Sequence, residues 1–171
     1  NILNNYLFGV NETVREYVRL TQELDARDTP VVLVLFGDHK PWMGNGGSVY
    51  EEMGIDFDTS ALAGFRNYYA TPYLIWANRA AKEVLGADFT GDGGDFSPCF
   101  LMTRLFDACG WAGPGYMQLS RAMRDISPLL HTNGLFLHDG VLTSVLSDTD
   151  RSFYRSWLAV QYYREHVAAY S

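Results

Sequence analysis

The sequence predicts an α/β fold in which helices flank a short, mostly parallel sheet. Three observations carry this. Val31, Val32, Leu33, Val34, Leu35 and Phe36 are six apolar residues in a row, β-branched at the start and without alternation, the pattern of a strand covered on both faces. Tyr73, Leu74, Ile75, Trp76 and Ala77 form a second run of the same kind. The segments around both runs repeat their apolar residues at helical spacing, so helices pack on the sheet that the runs build.

The elements follow in order. Asn11 is placed to cap a helix that reaches about Asp25, with Val14, Tyr17, Val18, Thr21 and Leu24 as its stripe and Glu12 near the positive end of its dipole. Thr29-Pro30 stops it. Strand 31–36 follows, then Gly37-Asp38-His39-Lys40-Pro41 and the flexible run Gly44-Asn45-Gly46-Gly47. Residues 48–53 and 58–68 are short helix candidates. Thr71-Pro72 leads into strand 73–77, which Asn78 ends, and residues 79–85 add helical turns. Gly86 to Asp95 is a loop rich in Gly and Asp. Ser97-Pro98 reads as an N-cap with Pro at the first helical position, opening a helix that runs to Cys109 and stops at Gly110. A further helix fits 115–126. Residues 134–146 suit a hairpin turning at Asp139-Gly140. The last helix spans 149–168, with Phe153, Trp157, Val160, Tyr163 and Val167 on one face and Arg155 and Glu165 on the other. No repeat and no linker interrupts the chain, which reads as one α/β unit.

Composition narrows the functions. The 171 residues are 47% apolar and 19% charged, which is a globular balance. The net charge of −7, with no cluster of Lys and Arg, argues against a nucleic-acid partner. The 11 Tyr and 10 Phe suit either a Tyr-rich core or a surface that faces carbohydrate. Cys99 and Cys109, ten apart on one expected helix, stand about 15 Å apart along it, beyond disulfide reach. No Cys/His spacing resembles a zinc site, and no apolar run is long enough to span a bilayer. The chain opens at Asn1 without an initiator Met, as an excised piece of a longer protein or a processed product would.

Asp38 and His39 carry the chemistry that the residues suggest. They follow the carboxyl end of a buried strand, the edge where open α/β sheets bind ligands. A carboxylate beside an imidazole offers oxygen and nitrogen donors suited to Mn²⁺ or Zn²⁺. The plainer alternative is that Asp38 caps a turn and His39 is simply exposed, and two donors alone do not complete a site. Lys40 and Trp42 stand close enough to reach a substrate, although a solvated loop accounts for them more simply. His131, His138-Asp139 and His166 suit structural roles better than chemical ones. Asp88, Asp92 and Asp95 lack the spacing and closing glutamate of an EF-hand.

The stretch from Val31 to Pro41, an apolar strand followed by Gly37-Asp38-His39, resembles the signature of sulfatase-like enzymes of the alkaline phosphatase superfamily. Among them it is most similar to the lipoteichoic acid synthases and related phosphoglycerol transferases. A second marker, Asn67 to Asn78, lies where that family places it, and Leu158 to Tyr162 resembles the family's closing helix. Together the markers cover roughly residues 5–165.

The resemblance implies that residues 1–171 are the C-terminal portion of a sulfatase-like catalytic domain, with a partial alkaline phosphatase-like fold. Asp38 and His39 then match two of the family's metal ligands, which usually hold manganese. The threonine nucleophile (a modified cysteine in true sulfatases) and a further acidic ligand would lie upstream of Asn1, so this chain carries no catalytic nucleophile and is expected to be inert alone. The parent's substrate would be a lipid-linked or glycan phosphoglycerol-type molecule. The parent would be membrane-anchored with this domain on the extracellular side, this chain itself being soluble. Such a metal lowers the nucleophile's pKa and balances charge on the transferring group. With half a ligand cage and a strand short of neighbours, the chain is expected to bind metal weakly and to form a homo-oligomer.

Two other classes remain. A non-catalytic glycan-binding or structural α/β domain would use the aromatics. A self-contained hydrolase ranks last, because the chain holds no Gly-x-Ser-x-Gly elbow.

Overall fold

The computed structural model describes residues 2–167. They gather into two compact units, one up to Phe89 and one from Thr90, where the sequence suggests a single unit. The division falls inside the Gly- and Asp-rich loop.

The first unit opens with α1 (Ile2–Asp25). This helix starts nine residues before Asn11, because Leu3, Tyr6, Leu7 and Val10 continue the apolar stripe upstream and leave Asn11 in mid-helix. Its charged side pairs with itself, through Arg15–Glu12 at 2.8 Å, Arg19–Glu16 at 2.9 Å and Arg19–Glu23 at 2.6 Å. None of its residues is buried.

Strand β1 (Val32–Phe36) pairs with β2 (Tyr73–Ala77) in register from Val32↔Ala77 to Phe36↔Tyr73. The two expected strands do share one sheet, but they run antiparallel, so the mostly parallel sheet is corrected. An unbroken apolar run records that both faces are apolar and carries nothing about direction. Here α2 (Ser48–Glu52) and α3 (Leu62–Tyr69) fill the connection, and the chain returns on the same side. The sheet has two strands rather than a buried centre, and Phe36 and Leu74 remain 56% and 50% exposed. Helix α4 (Arg79–Leu85) follows, opened by Asn78 and ended at Gly86, whose φ of 63° is left-handed.

The second unit holds α5 (Leu101–Ala108), α6 (Gly115–Ile126), β3 (Phe136–His138), β4 (Val141–Thr143) and α7 (Asp148–His166). Residue 168, the expected end of the last helix, lies outside the described residues. The expected hairpin is present. Asp139 and Gly140 take φ of 49° and 78°, the paired positive values of a two-residue turn whose twist matches its strands. Both sheets are therefore small and antiparallel.

Ser97 precedes a short turn (Pro98–Phe100) but does not cap it. Its hydroxyl donates to the Leu130 carbonyl at 3.1 Å and accepts from the Leu130 N–H at 2.8 Å. Cys99 and Cys109 are both free thiols. The core is Phe100, Met123 and Trp157, with Leu119, Ile126 and Phe153 packed against it. It covers the first half of α7, while Val160, Tyr163 and Val167 stay 37%, 54% and 45% exposed.

Within this core the Trp157 indole N–H donates to the Ser120 hydroxyl at 3.0 Å. Ser120→Ala leaves that buried donor unsatisfied and is expected to cost about 1–2 kcal/mol. A urea midpoint indistinguishable from the parent's would contradict this. Among the described residues no helix is long and apolar enough to cross a membrane.

Candidate metal-ligand pair

Asp38 and His39 leave the carboxyl end of β1 on a loop that is braced on both sides. On the strand side, the Gly37 N–H donates to the Pro72 carbonyl at 3.0 Å, and the Thr71 hydroxyl donates to the Gly37 carbonyl at 2.6 Å. A Cβ on Gly37 would stand 3.0 Å from the Thr71 Cβ, so glycine is what allows the approach. On the far side, the Tyr50 hydroxyl donates to the Pro41 carbonyl at 2.9 Å. Burial and then the nearby Tyr6 push the Tyr50 hydroxyl above its ordinary pKa, which keeps it a donor.

Between these braces the pair is preset. Asp38 Oδ1 accepts the His39 backbone N–H at 2.8 Å, which orients the carboxylate. His39 Nδ1 lies 2.8 Å from the Lys40 carbonyl oxygen. A carbonyl only accepts, so Nδ1 carries the proton of that bond. In the neutral ring the lone pair then falls on Nε2, which stands 3.4 Å from Asp38 Oδ2. Nε2 and Asp38 Oδ2 are thus the two donor atoms that a divalent cation would share. A divalent ion about 2.1 Å from each donor separates adjacent ligands by about 3.0 Å in an octahedron and about 3.4 Å in a tetrahedron. Ligating histidines also commonly donate their other N–H to a carbonyl. The donor set therefore fits one edge of a metal site.

The rest of a cage is not assembled here. Among the described residues no group of three or more His, Cys, Asp or Glu side chains could hold a metal ion. The Asp38 and His39 side chains are 79% and 76% exposed, on the solvent side of the strand end rather than in a core. Trp42, on the same loop, is 68% exposed.

The other histidines are engaged locally. His138 Nδ1 lies 3.1 Å from the Ile126 carbonyl, with Nε2 3.7 Å from Asp139 Oδ2. His166 stacks on Tyr162 with ring centres 4.3 Å apart. His131 Nδ1 faces the Asn133 N–H at 3.3 Å. In the Gly-rich loop, Asp92 accepts from the Gly94 N–H at 2.8 Å, a turn contact.

The sequence points to Asp38 and His39 but not to the residues that brace them. Tyr50 and Thr71 act through contacts nine and 34 residues away in sequence, which no local pattern marks.

No family model and no solved structure matches the chain. It is similar, at 27% identity over 121 residues, to a Rhizobium meliloti (strain 1021) protein provisionally named as a cyclic beta-1,2-glucan modification protein. The alignment takes in 67% of this chain and 17% of that relative, so the chain spans less than a fifth of the curated relative it matches.

Proposed function

We propose that this chain is part of a divalent-metal-dependent enzyme that modifies cell-envelope glycans, by phosphoglycerol transfer or related ester chemistry, and that Asp38 and His39 are two of its metal ligands. The observation that carries this is the preset pair, with His39 Nδ1 on a carbonyl and Nε2 3.4 Å from Asp38 Oδ2. The glucan-modifying name of the relative supports the substrate class, and the motif around Gly37-Asp38-His39 supports reading this chain as part of an alkaline phosphatase-like fold that the whole enzyme completes. Manganese is the expected ion. When bound, it would supply charge balance on the transferring group and activation of the nucleophile. This chain's own residues hold donors in place: Gly37, Thr71 and Tyr50 fix the loop, and Lys40 orients the imidazole. The remaining ligands and the nucleophile belong to the parent, which we place at the membrane with this region outside.

Calorimetric titration of the chain with Mn²⁺ should show weak binding, about millimolar to high micromolar, because two ligands leave most of the coordination to water. Asp38→Ala and His39→Ala should each abolish it. Unaltered binding in both variants would remove the metal assignment. Phosphodiesterase turnover by the isolated chain, lost in Asp38→Ala, would show that the nucleophile is on board after all.

A further inference from the structure

The first unit carries a run of aromatic rings in successive contact. Tyr50 meets Phe57 at 4.9 Å between ring centres, Phe57 meets Tyr68 edge-on at 5.4 Å, and Tyr68 meets Tyr69 at 4.7 Å and 68°. These contacts hold the rings in place, yet Tyr68 and Tyr69 remain 48% and 41% exposed. Both ends of the run connect to the Asp38–His39 loop. Tyr50 holds Pro41 by its hydroxyl. Tyr69 is two residues from Thr71, which holds Gly37. Summing 3.8 Å Cα steps with the 3.0 Å approach at Gly37 places the Tyr69 and Asp38 Cα atoms under about 18 Å apart. Trp42 adds an exposed indole three residues from His39.

We infer that Trp42, Tyr68 and Tyr69 are the contact points of a stacking subsite for a glucan chain that extends toward Asp38 and His39. This deepens the proposed function and rests on it for the choice of glycan. A pyranose presents an apolar C–H face and a rim of hydroxyls. Tyr68 and Tyr69, held by their ring contacts and half-wet, match the face with little loss of side-chain entropy, and the exposed Trp42 adds a third apolar ring. The exposed Asp38, His39 and Lys40 offer acceptors and donors for the rim. Tilted, half-wet rings edged by charge suit this ligand better than a protein partner, whose interface core is dry and depleted of charge.

The test titrates the chain with a linear β-1,2-linked gluco-oligosaccharide, followed by calorimetry and tryptophan fluorescence. Saturable binding is expected. Trp42→Ala and Tyr68→Ala should each weaken it about threefold to tenfold, the worth of one aromatic contact. If Tyr68→Ala disturbs α3, Tyr68→Leu keeps contact with Phe57 while removing the flat face. Asp38→Ala should abolish Mn²⁺ binding, while Tyr68→Leu should weaken glucan binding and leave Mn²⁺ binding unchanged, so the two assignments fail separately. No binding at millimolar glucan, unweakened binding in the Trp42→Ala/Tyr68→Leu double variant, or a dimer that the double variant dissolves in place of glucan binding would overturn the subsite.

Discussion

Asn78→Ala should lower the stability of the protein by about 3–5 kcal/mol. The side chain is 0% exposed and sits where four segments of the first unit meet. Its Oδ1 accepts the Val31 and Ala81 N–H groups, both at 2.9 Å. Its Nδ2 donates to the carbonyls of Leu24 at 2.9 Å and Thr29 at 3.0 Å, with a longer contact to Arg27 at 3.4 Å. One amide thus caps α4, closes the last turn of α1 and seats the start of β1. Alanine removes every bond and takes their acceptor from the Val31 and Ala81 N–H groups, each costing about 1–3 kcal/mol where water cannot reach it. Asn78→Asp keeps the shape but sets a carboxylate against those carbonyls. Its deficit should shrink as pH falls and the acid becomes a donor. Urea unfolding measures both. A loss below about 1 kcal/mol for Asn78→Ala, the worth of a helix cap alone, would show that the junction does not depend on this residue.

Asp107→Asn is expected to cost about 2–4 kcal/mol. The carboxylate joins α5 to α6 by accepting from Arg121 Nε and Arg124 Nη2, both at 2.6 Å. The three side chains are 28% exposed or less, so the charges are poorly screened and removing one leaves two guanidinium groups facing each other. Arg121 also donates to the Trp111 carbonyl at 3.2 Å, which ties down the loop between the helices. Burial alone would raise the Asp107 pKa, but the hydrogen bonds and charges of Arg124 and Arg121 outweigh it and hold the carboxyl below its ordinary value. The folded pKa is depressed, so the stabilisation is present above the unfolded carboxylate value. It is lost as pH falls through the folded one. The gap between the parent and Asp107→Asn should therefore be widest near neutrality and close in acid. A gap that stays constant down to about pH 3, below the ordinary carboxylate range, would show that the ion pairs contribute little.

Local signals were legible in the sequence. The sequence places the helical turns of 79–85 between the strand end at Asn78 and the loop from Gly86, and the structure adds that these two residues are the helix's side-chain cap and left-handed stop. The Asp139-Gly140 turn is legible because it rests on two adjacent residues. What escaped depends on distant partners. The direction of β2 relative to β1 is set by how α2 and α3 return the chain, and the apolar runs are the same in either direction. Ser97 looked like a cap, but a carbonyl and an N–H of Leu130, 33 residues away, claim its hydroxyl. The site divides likewise. Adjacency at a strand end singled out Asp38 and His39, while the hydrogen bonds that fix them come from residues with no local mark.

The pairing of β1 with β2 has a consequence for amide exchange. Asn78 N–H reaches the Val31 carbonyl, and Gly37 N–H reaches the Pro72 carbonyl. Bonded pairs alternate in an antiparallel ladder, so Leu33↔Trp76 and Leu35↔Leu74 face inward. The amides of Val32, Val34 and Phe36 on one strand, and of Tyr73, Ile75 and Ala77 on the other, point away from the partner strand. A ribbon standing by itself in water would exchange deuterium in a two-residue rhythm, slow and fast by turns along each strand. Added strands, from a second copy or from the rest of a longer protein, would quench the fast half on whichever side they dock. The rhythm of protection along ten residues thus reads out which margin of the ribbon is occupied.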